Sequence, residues 1–304
     1  MSGLSLDQLE QLIQGHHWDP LAILGAHPTT QDNSPTVSIR CFLPEANEVA
    51  LLLNAQSPQP IPMRRIHKDG LFEATVPGPL GTSPYRLCVT DYAGRVSERH
   101  DPYSFPPLLT DFELHLFAEG TFFKAYETMG AHLRTVAGVA GVHFVVWAPN
   151  AARVSVVGDF NQWDGRRHPM TNRGATGLWE LFIPELIDGT LYKYEIRSRH
   201  HDAPLLKADP YAVASELRPK TASIVHTDIP YSWKDQAWMT ARAQQNPLAQ
   251  PLSIYEVHLG SWMRVPEEGN RWLTYAELAV KLISYVKNMR YTHVELMPIT
   301  EHPF

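Results

Sequence analysis

The sequence has 304 residues, of which 44% are hydrophobic, enough to build two or three cores without metal or disulfide staples. Its 26 Lys and Arg against 32 Asp and Glu give a net charge of -6, which argues against nucleic acid or an anionic membrane as partner. Two cysteines, Cys41 and Cys88, cannot make a disulfide framework, a CxxC redox pair or a zinc site.

The first basic residue is Arg40, so the start lacks the positive region of a secretory signal, and no apolar run approaches the ~18 residues of a membrane span. These features predict a cytoplasmic protein with reduced thiols. Charged residues make up only 19%, below the usual ~25%, while Pro (25 residues) and Trp (8) run high. That usage suits short strands joined by rigid turns.

Ser5 followed by Gln8 has the spacing of a capping box, and Leu6, Leu9, Leu12 and Ile13 share a helical face before Gly15. A short N-terminal helix is predicted there. Strand patterns then follow at 37–43, 48–53, 71–76 and 85–90, separated by Pro, Gly, Asn and Ser clusters. This is the spacing of a small antiparallel sandwich. Residues 119–129 suit either a short helix or an aromatic linker.

A second set of strands, 141–147, 153–160, 178–183 and 191–197, repeats the first. Val37, Phe42, Pro44, Ala46 and Val49 recur as Val142, Trp147, Pro149, Ala151 and Val154 at an offset of 105. Gly70-Leu71-Phe72-Glu73 and Tyr85 recur as Gly177-Leu178-Trp179-Glu180 and Tyr192 at 107, and Asp101-Pro102-Tyr103 as Asp209-Pro210-Tyr211 at 108. Tandem copies are predicted at about 30–108 and 137–226, with Pro44 equivalent to Pro149 and Tyr85 to Tyr192. The growing offset places a longer loop in the second copy, reading Gly158-Asp159-Phe160-Asn161-Gln162-Trp163. After Pro251 the pattern becomes strand (253–259), helix begun by a Thr274/Glu277 capping box, and strand (292–297). Such a βαβ unit belongs to a parallel sheet or a (β/α) barrel, with its two strands parallel and neighbouring.

The common nucleophile, phosphate and zinc signatures are missing. His293-Val294-Glu295 imitates the H-x-E of zinc deaminases but has no later C-x-x-C, so it reads as strand. The fifteen His lack ligand spacing, and neither metal nor cofactor is expected. Trp163 has two readings. It can cap the sandwich core, or its ring can stack on a sugar face while neighbouring polar groups meet the hydroxyls. The corresponding region of the first copy, Leu51 to Gln56, lacks such a loop and is expected to bind little.

At this loop the residues resemble a known family. Trp147-Ala148-Pro149-Asn150-Ala151, the run 158–170 and Leu191-Tyr192-Lys193-Tyr194-Glu195 are similar to the family 48 carbohydrate-binding module of α-glucan enzymes. The runs 17–27, 207–212, 221–225, 255–262 and 294–299 resemble the bacterial 1,4-α-glucan (glycogen) branching enzymes of glycoside hydrolase family 13. Trp18 departs mildly from that family's His-Asp-Pro spacing. The resemblance implies a mainly β chain: two tandem immunoglobulin-like β-sandwiches followed by the first βαβ unit of a truncated (β/α)8 barrel. The divisions implied are an N-terminal helix and first sandwich (1–108), a linker with a short helix (109–136), a carbohydrate-binding-module-like sandwich (137–226), and a linker leading into the barrel start (227–304).

The chemistry implied is transfer of an α-1,4-glucan segment to a 6-hydroxyl, making an α-1,6 branch in glycogen biosynthesis. Retaining chemistry needs an Asp nucleophile and a Glu acid/base about 5–5.5 Å apart. Neither family motif occurs in these residues, so no catalytic residue is assigned, and Tyr255, His258, Glu295, Glu301 and His302 are at most barrel scaffold or rim. These 304 residues are expected to be inactive alone and to bind only α-glucan, through Trp163, Asn161 and Lys193. The alternative is a complete non-catalytic glucan-binding or scaffolding module. The open βαβ unit weighs against it, because its apolar edges would stay uncovered.

Overall fold

A computed structural model describes residues 5–53, 59–81, 83–200, 203–227 and 231–299. They form two compact units, one reaching residue 227 and the other running from 231 to 299. The protein is mainly β, with several sheets.

The first unit opens with the expected helix, Leu6–Ile13. The Ser5 hydroxyl accepts from the Gln8 amide at 3.2 Å, and the Gln8 side chain accepts from the Ser5 amide at 3.1 Å. The helix buries Leu12 and Ile13, and after it Ile23 and Leu24 are buried too. All four share one buried cluster with Val142, Phe144 and Tyr192, far along the chain.

Two four-stranded sheets make the first sandwich. One has the order Gly25–Gln31, Ser34–Phe42, Leu71–Pro77, Arg64–His67; the other has Ile61–Pro62, Ala46–Leu52, Arg86–Asp91, Val96–His100. Neighbouring strands pair antiparallel. Period-two alternation sends Val37, Ile39 and Cys41 into the core between them, with Val49, Leu51, Leu87 and Val89 opposite. The other face of strand Ser34–Phe42 is also covered: Ser38 and Arg40 both donate to Glu73, at 2.8 and 2.9 Å, and Phe42 joins the cluster that holds Val142 and Phe144.

The second copy repeats this plan. Gly130–Val136, Val139–Trp147, Leu178–Pro184 and Thr171–Asn172 form one sheet, and Ala151–Val157, Leu191–Ser198, Ser223–Ile224 and Ala214–Ser215 the other, with Leu205–Lys207 also on Leu191–Ser198. The repeated residues make repeated contacts. Tyr85 Oη donates to Asp101 at 2.6 Å and Tyr192 Oη to Asp209 at 2.7 Å. Gly70 and Gly177 both have positive φ, and a Cβ on either would strike Pro44 or Pro149 respectively.

Each copy begins earlier than the expected residues 30 and 137, with a hairpin strand at Gly25–Gln31 or Gly130–Val136. The runs GAHPTTQ and GAHLRTV have little apolar alternation, so their strand character rests on pairing with the next strand. The turns provide it: Asp32 and Asn33 have φ of 49° and 61°, Ala137 and Gly138 of 50° and 82°, the consecutive left-handed pair a tight hairpin requires. Between the copies the helix runs Asp111–Glu119, earlier than 119–129, capped by Thr110 and Glu113 and ended by Gly120. Only a single tight turn, Ala125–Glu127, follows it.

In the second unit, strands Ile254–Val257 and His293–Leu296 pair in parallel, as the sequence predicts, around the helix Tyr275–Asn288. Thr274 and Glu277 form the capping box, and Arg271 donates to both Glu277 carboxylate oxygens at 2.9 Å. Leu278, Leu282 and Val286 are the buried residues of that helix. A helical turn, Leu259–Trp262, and a small hairpin pairing Arg264–Val265 with Arg271–Trp272 intervene, neither of which the pattern indicated.

Candidate functional site

The strand predicted over 153–160 stops at Val157, and the chain turns sharply through Gly158 to Trp163. A Cβ at Gly158 would collide with the Leu191 carbonyl, so glycine is required for that approach. Asp159–Asn161 makes one tight helical turn, and Gln162 and Trp163 both take left-handed backbone, with φ of 58° and 60°. Such residues persist only where the surroundings over-determine them.

Asn161 is what holds the turn. It is fully buried; its Oδ1 accepts from the Gly158 amide at 3.0 Å, and its Nδ2 donates to the Val156 carbonyl at 2.8 Å and approaches His168 Nδ1 at 2.9 Å. This corrects the expectation that Asn161 reaches a sugar hydroxyl: its amide is spent on the scaffold. Burial drives the His168 pKa down to about 3, so the ring stays neutral and its lone pair can accept from Asn161.

Trp163 emerges half-buried, its amide bonded to the Gly158 carbonyl at 2.9 Å and its Nε1 donating to Asp159 Oδ1 at 2.8 Å. The indole is thus fixed by a carboxylate on its own turn. Lys193 lies opposite Val157 in the antiparallel pair, at the strand end from which this turn leaves. Its Nζ donates to Thr221 Oγ1. An ammonium has three donors, so two are left for other acceptors. Lys193 therefore stands at the strand end from which the Trp163 turn leaves, and Asn161 ties that turn to Val156.

The rest of the loop is anchored by Arg153, 1% exposed, which donates to the Ser155 hydroxyl at 2.9 Å, to the Gly165 carbonyl and to Glu195. Sequence reasoning missed Thr221 and Asp159. Thr221 is 28 residues from its lysine and carries no local signal; Asp159 sits four residues before Trp163, a spacing that a tight turn converts into contact. Of the residues named as scaffold in the second unit, Tyr255 Oη accepts from Trp262 Nε1 at 3.0 Å and His258 Nδ1 lies 2.7 Å from Ser261 Oγ. Glu295 is exposed, and Glu301 and His302 lie outside the described residues.

Residues 128–212 match carbohydrate-binding module 48 (isoamylase N-terminal domain), which includes the Trp163 turn and Lys193. Residues 5–103 match the N-terminal domain of the alpha-1,4-glucan branching enzyme GlgB. The 1,4-alpha-glucan branching enzyme GlgB of Gloeobacter violaceus is 52% identical over 99% of this chain, and that of Methylococcus capsulatus 48% over 97%. Over almost its whole length the chain is similar to the N-terminal regions of GlgB branching enzymes. It spans about two fifths of those relatives' length, 40% and 38%. Among solved structures, a pullulanase of Anoxybacillus sp. LM18-11 in complex with maltotriose aligns over 90% of this chain and 39% of its own, at 20% identity and a TM-score of 0.40. No helix among the described residues is long and apolar enough to cross a membrane.

Proposed function

We propose that this chain is the glucan-holding part of a cytoplasmic branching enzyme, which moves an α-1,4-glucan segment onto a 6-hydroxyl of glycogen to make an α-1,6 branch. The first sandwich ends near 108 and the second opens with the strand Gly130–Val136, and the strand–helix–strand of the second unit is the first βαβ unit of a (β/α)8 barrel. The residues described here bind and the chemistry lies outside them, so the 304-residue polypeptide forms no α-1,6 links in a chain-length assay. The observation that carries the reading is the half-buried Trp163 on a turn tied down by Asn161, leaving the strand end where Lys193 lies opposite Val157. An indole face covers the apolar face of a glucose ring, and the lysine donors reach its hydroxyls. One such contact is weak, near the millimolar end at about -4 kcal/mol. Its use is to keep a branched polymer near the enzyme, where many weak ends act together.

Affinity electrophoresis through glycogen tests this. Trp163→Ala is expected to cut the retardation at least threefold while circular dichroism stays native. Retardation equal to the parent's moves the sugar site elsewhere and returns Trp163 to a structural role.

A further inference from the structure

The turn that presents Trp163 has a second side, facing the first sandwich. There a cleft of about 350 Å³ opens between the strand Val96–His100 and residues 159–167, at the small end of the ~300–1,000 Å³ of ligand sites. Behind it a pocket of about 190 Å³ shares the walls made by Arg99, Phe160 and Arg167. The charges in the cleft balance. Arg95 is paired with Asp91 at 2.7 Å, and Glu45 Oε1 accepts from both Arg99 at 2.6 Å and Arg167 at 2.5 Å. A bare anion or cation therefore finds no unmatched countercharge.

Two buried atoms of the cleft wall stay unpaired, one acceptor and one donor. Glu45 Oε2 and Arg167 Nε are both buried without a hydrogen-bond partner, and the Arg167 side chain is 8% exposed. Unpaired buried polar atoms are costly, and each needs an occupant that can donate to one and accept from the other. Neighbouring hydroxyls on a sugar ring do both, because each is donor and acceptor. The Phe160 ring supplies an apolar wall for the ring's face.

We propose that this cleft between the two sandwiches binds a second stretch of α-glucan, distinct from the stretch on Trp163. The inference rests on the glucan-binding reading given above. The two sites share one turn: Asp159 lines the cleft and also holds the Trp163 indole. A glucan crossing the turn would engage both.

The test is nuclear magnetic resonance on the full chain, titrated with maltoheptaose and, separately, with inorganic phosphate. The Arg167 Nε–H signal, assigned by its loss in Arg167→Lys, reports the cleft, and the Trp163 Nε1–H signal reports the turn. Both are expected to move saturably with maltoheptaose, and the Arg167 signal should still move in Trp163→Ala with a Kd changed less than about threefold. An independent readout is glycogen electrophoresis in the Trp163→Ala background, where Ser97→Leu, on the exposed strand at the mouth, should remove the residual retardation. A Trp163 signal that moves while Arg167 stays still overturns the cleft and leaves the turn standing, with solvent water satisfying the two atoms. Movement of Arg167 with phosphate alone makes it an anion site and overturns the proposal. Movement of Arg167 without Trp163 supports the cleft and removes the turn, and silence at both removes both.

Discussion

His168 is held neutral beneath the Trp163 turn, with Arg167 and Arg99 adding to the burial that disfavours its charged form. The folded ring stays unprotonated down to about pH 3, whereas an unfolded one takes a proton near 6.5. Between those values the unfolded chain binds more protons, so this residue's contribution is complete above 6.5 and is lost as the pH falls. Asp101 works in the opposite sense: burial raises its pKa to about 6, so its contribution is complete below 3.8 and is lost as the pH rises through 6. The two are separated by His168→Gln, which cannot protonate and keeps an oxygen for Asn161. The urea midpoint of this variant should fall less than the parent's between pH 7 and pH 5; equal falls would mean that the ring is not kept neutral. Sequence gave no hint of the burial. Asn161 reads as a solvent-facing turn residue because Asn favours turns, yet here its amide replaces missing main-chain partners, and that substitution is set by the Gly158 geometry rather than by composition.

At the scale of elements, the tandem repeat was legible because it rests on residues with few substitutes. A glycine beside a proline and a tyrosine bonded to a buried aspartate leave identity marks at constant spacing. The opening hairpins were not legible, since polar edge strands take their conformation from pairing. The Tyr–Asp latches also differ between copies in a way that can be measured. Asp101 receives one tyrosine hydroxyl, from Tyr85, whereas Asp209 receives two, from Tyr192 at 2.7 Å and Tyr194 at 3.0 Å. Removing a partner from a buried carboxylate costs about 1–3 kcal/mol. Tyr85→Phe should fall toward the upper end and Tyr192→Phe toward the lower, read as the drop in thermal midpoint of each variant. The reverse order would show that the second hydroxyl does not compensate.

The whole molecule pairs a first unit of extended buried clusters with a second unit of thin core. The first unit's largest cluster joins the N-terminal helix to the second sandwich, and the helix loses its burial if separated from it. In the second unit the buried cluster is Val257, Leu282 and Val286, while Val280, Ile283, Val294 and Leu296 are exposed. Amides with little apolar cover open at low free energy. Hydrogen exchange of residues 254–257 and 293–296 should therefore be much faster than that of 142–146 and 179–183, and equal protection would contradict it. The parallel pairing was readable from the strand, helix, strand rhythm; the hairpin between 264 and 272 was not, because two-residue strands carry no periodicity. The most direct measurement of the glucan-binding claim is a crystal structure of the chain soaked in maltoheptaose at several times its millimolar Kd. It should contain a glucose ring stacked on the Trp163 indole with a hydroxyl within hydrogen-bond reach of Lys193 Nζ. Sugar bound elsewhere on the second sandwich, with the Trp163 face bare, would contradict it.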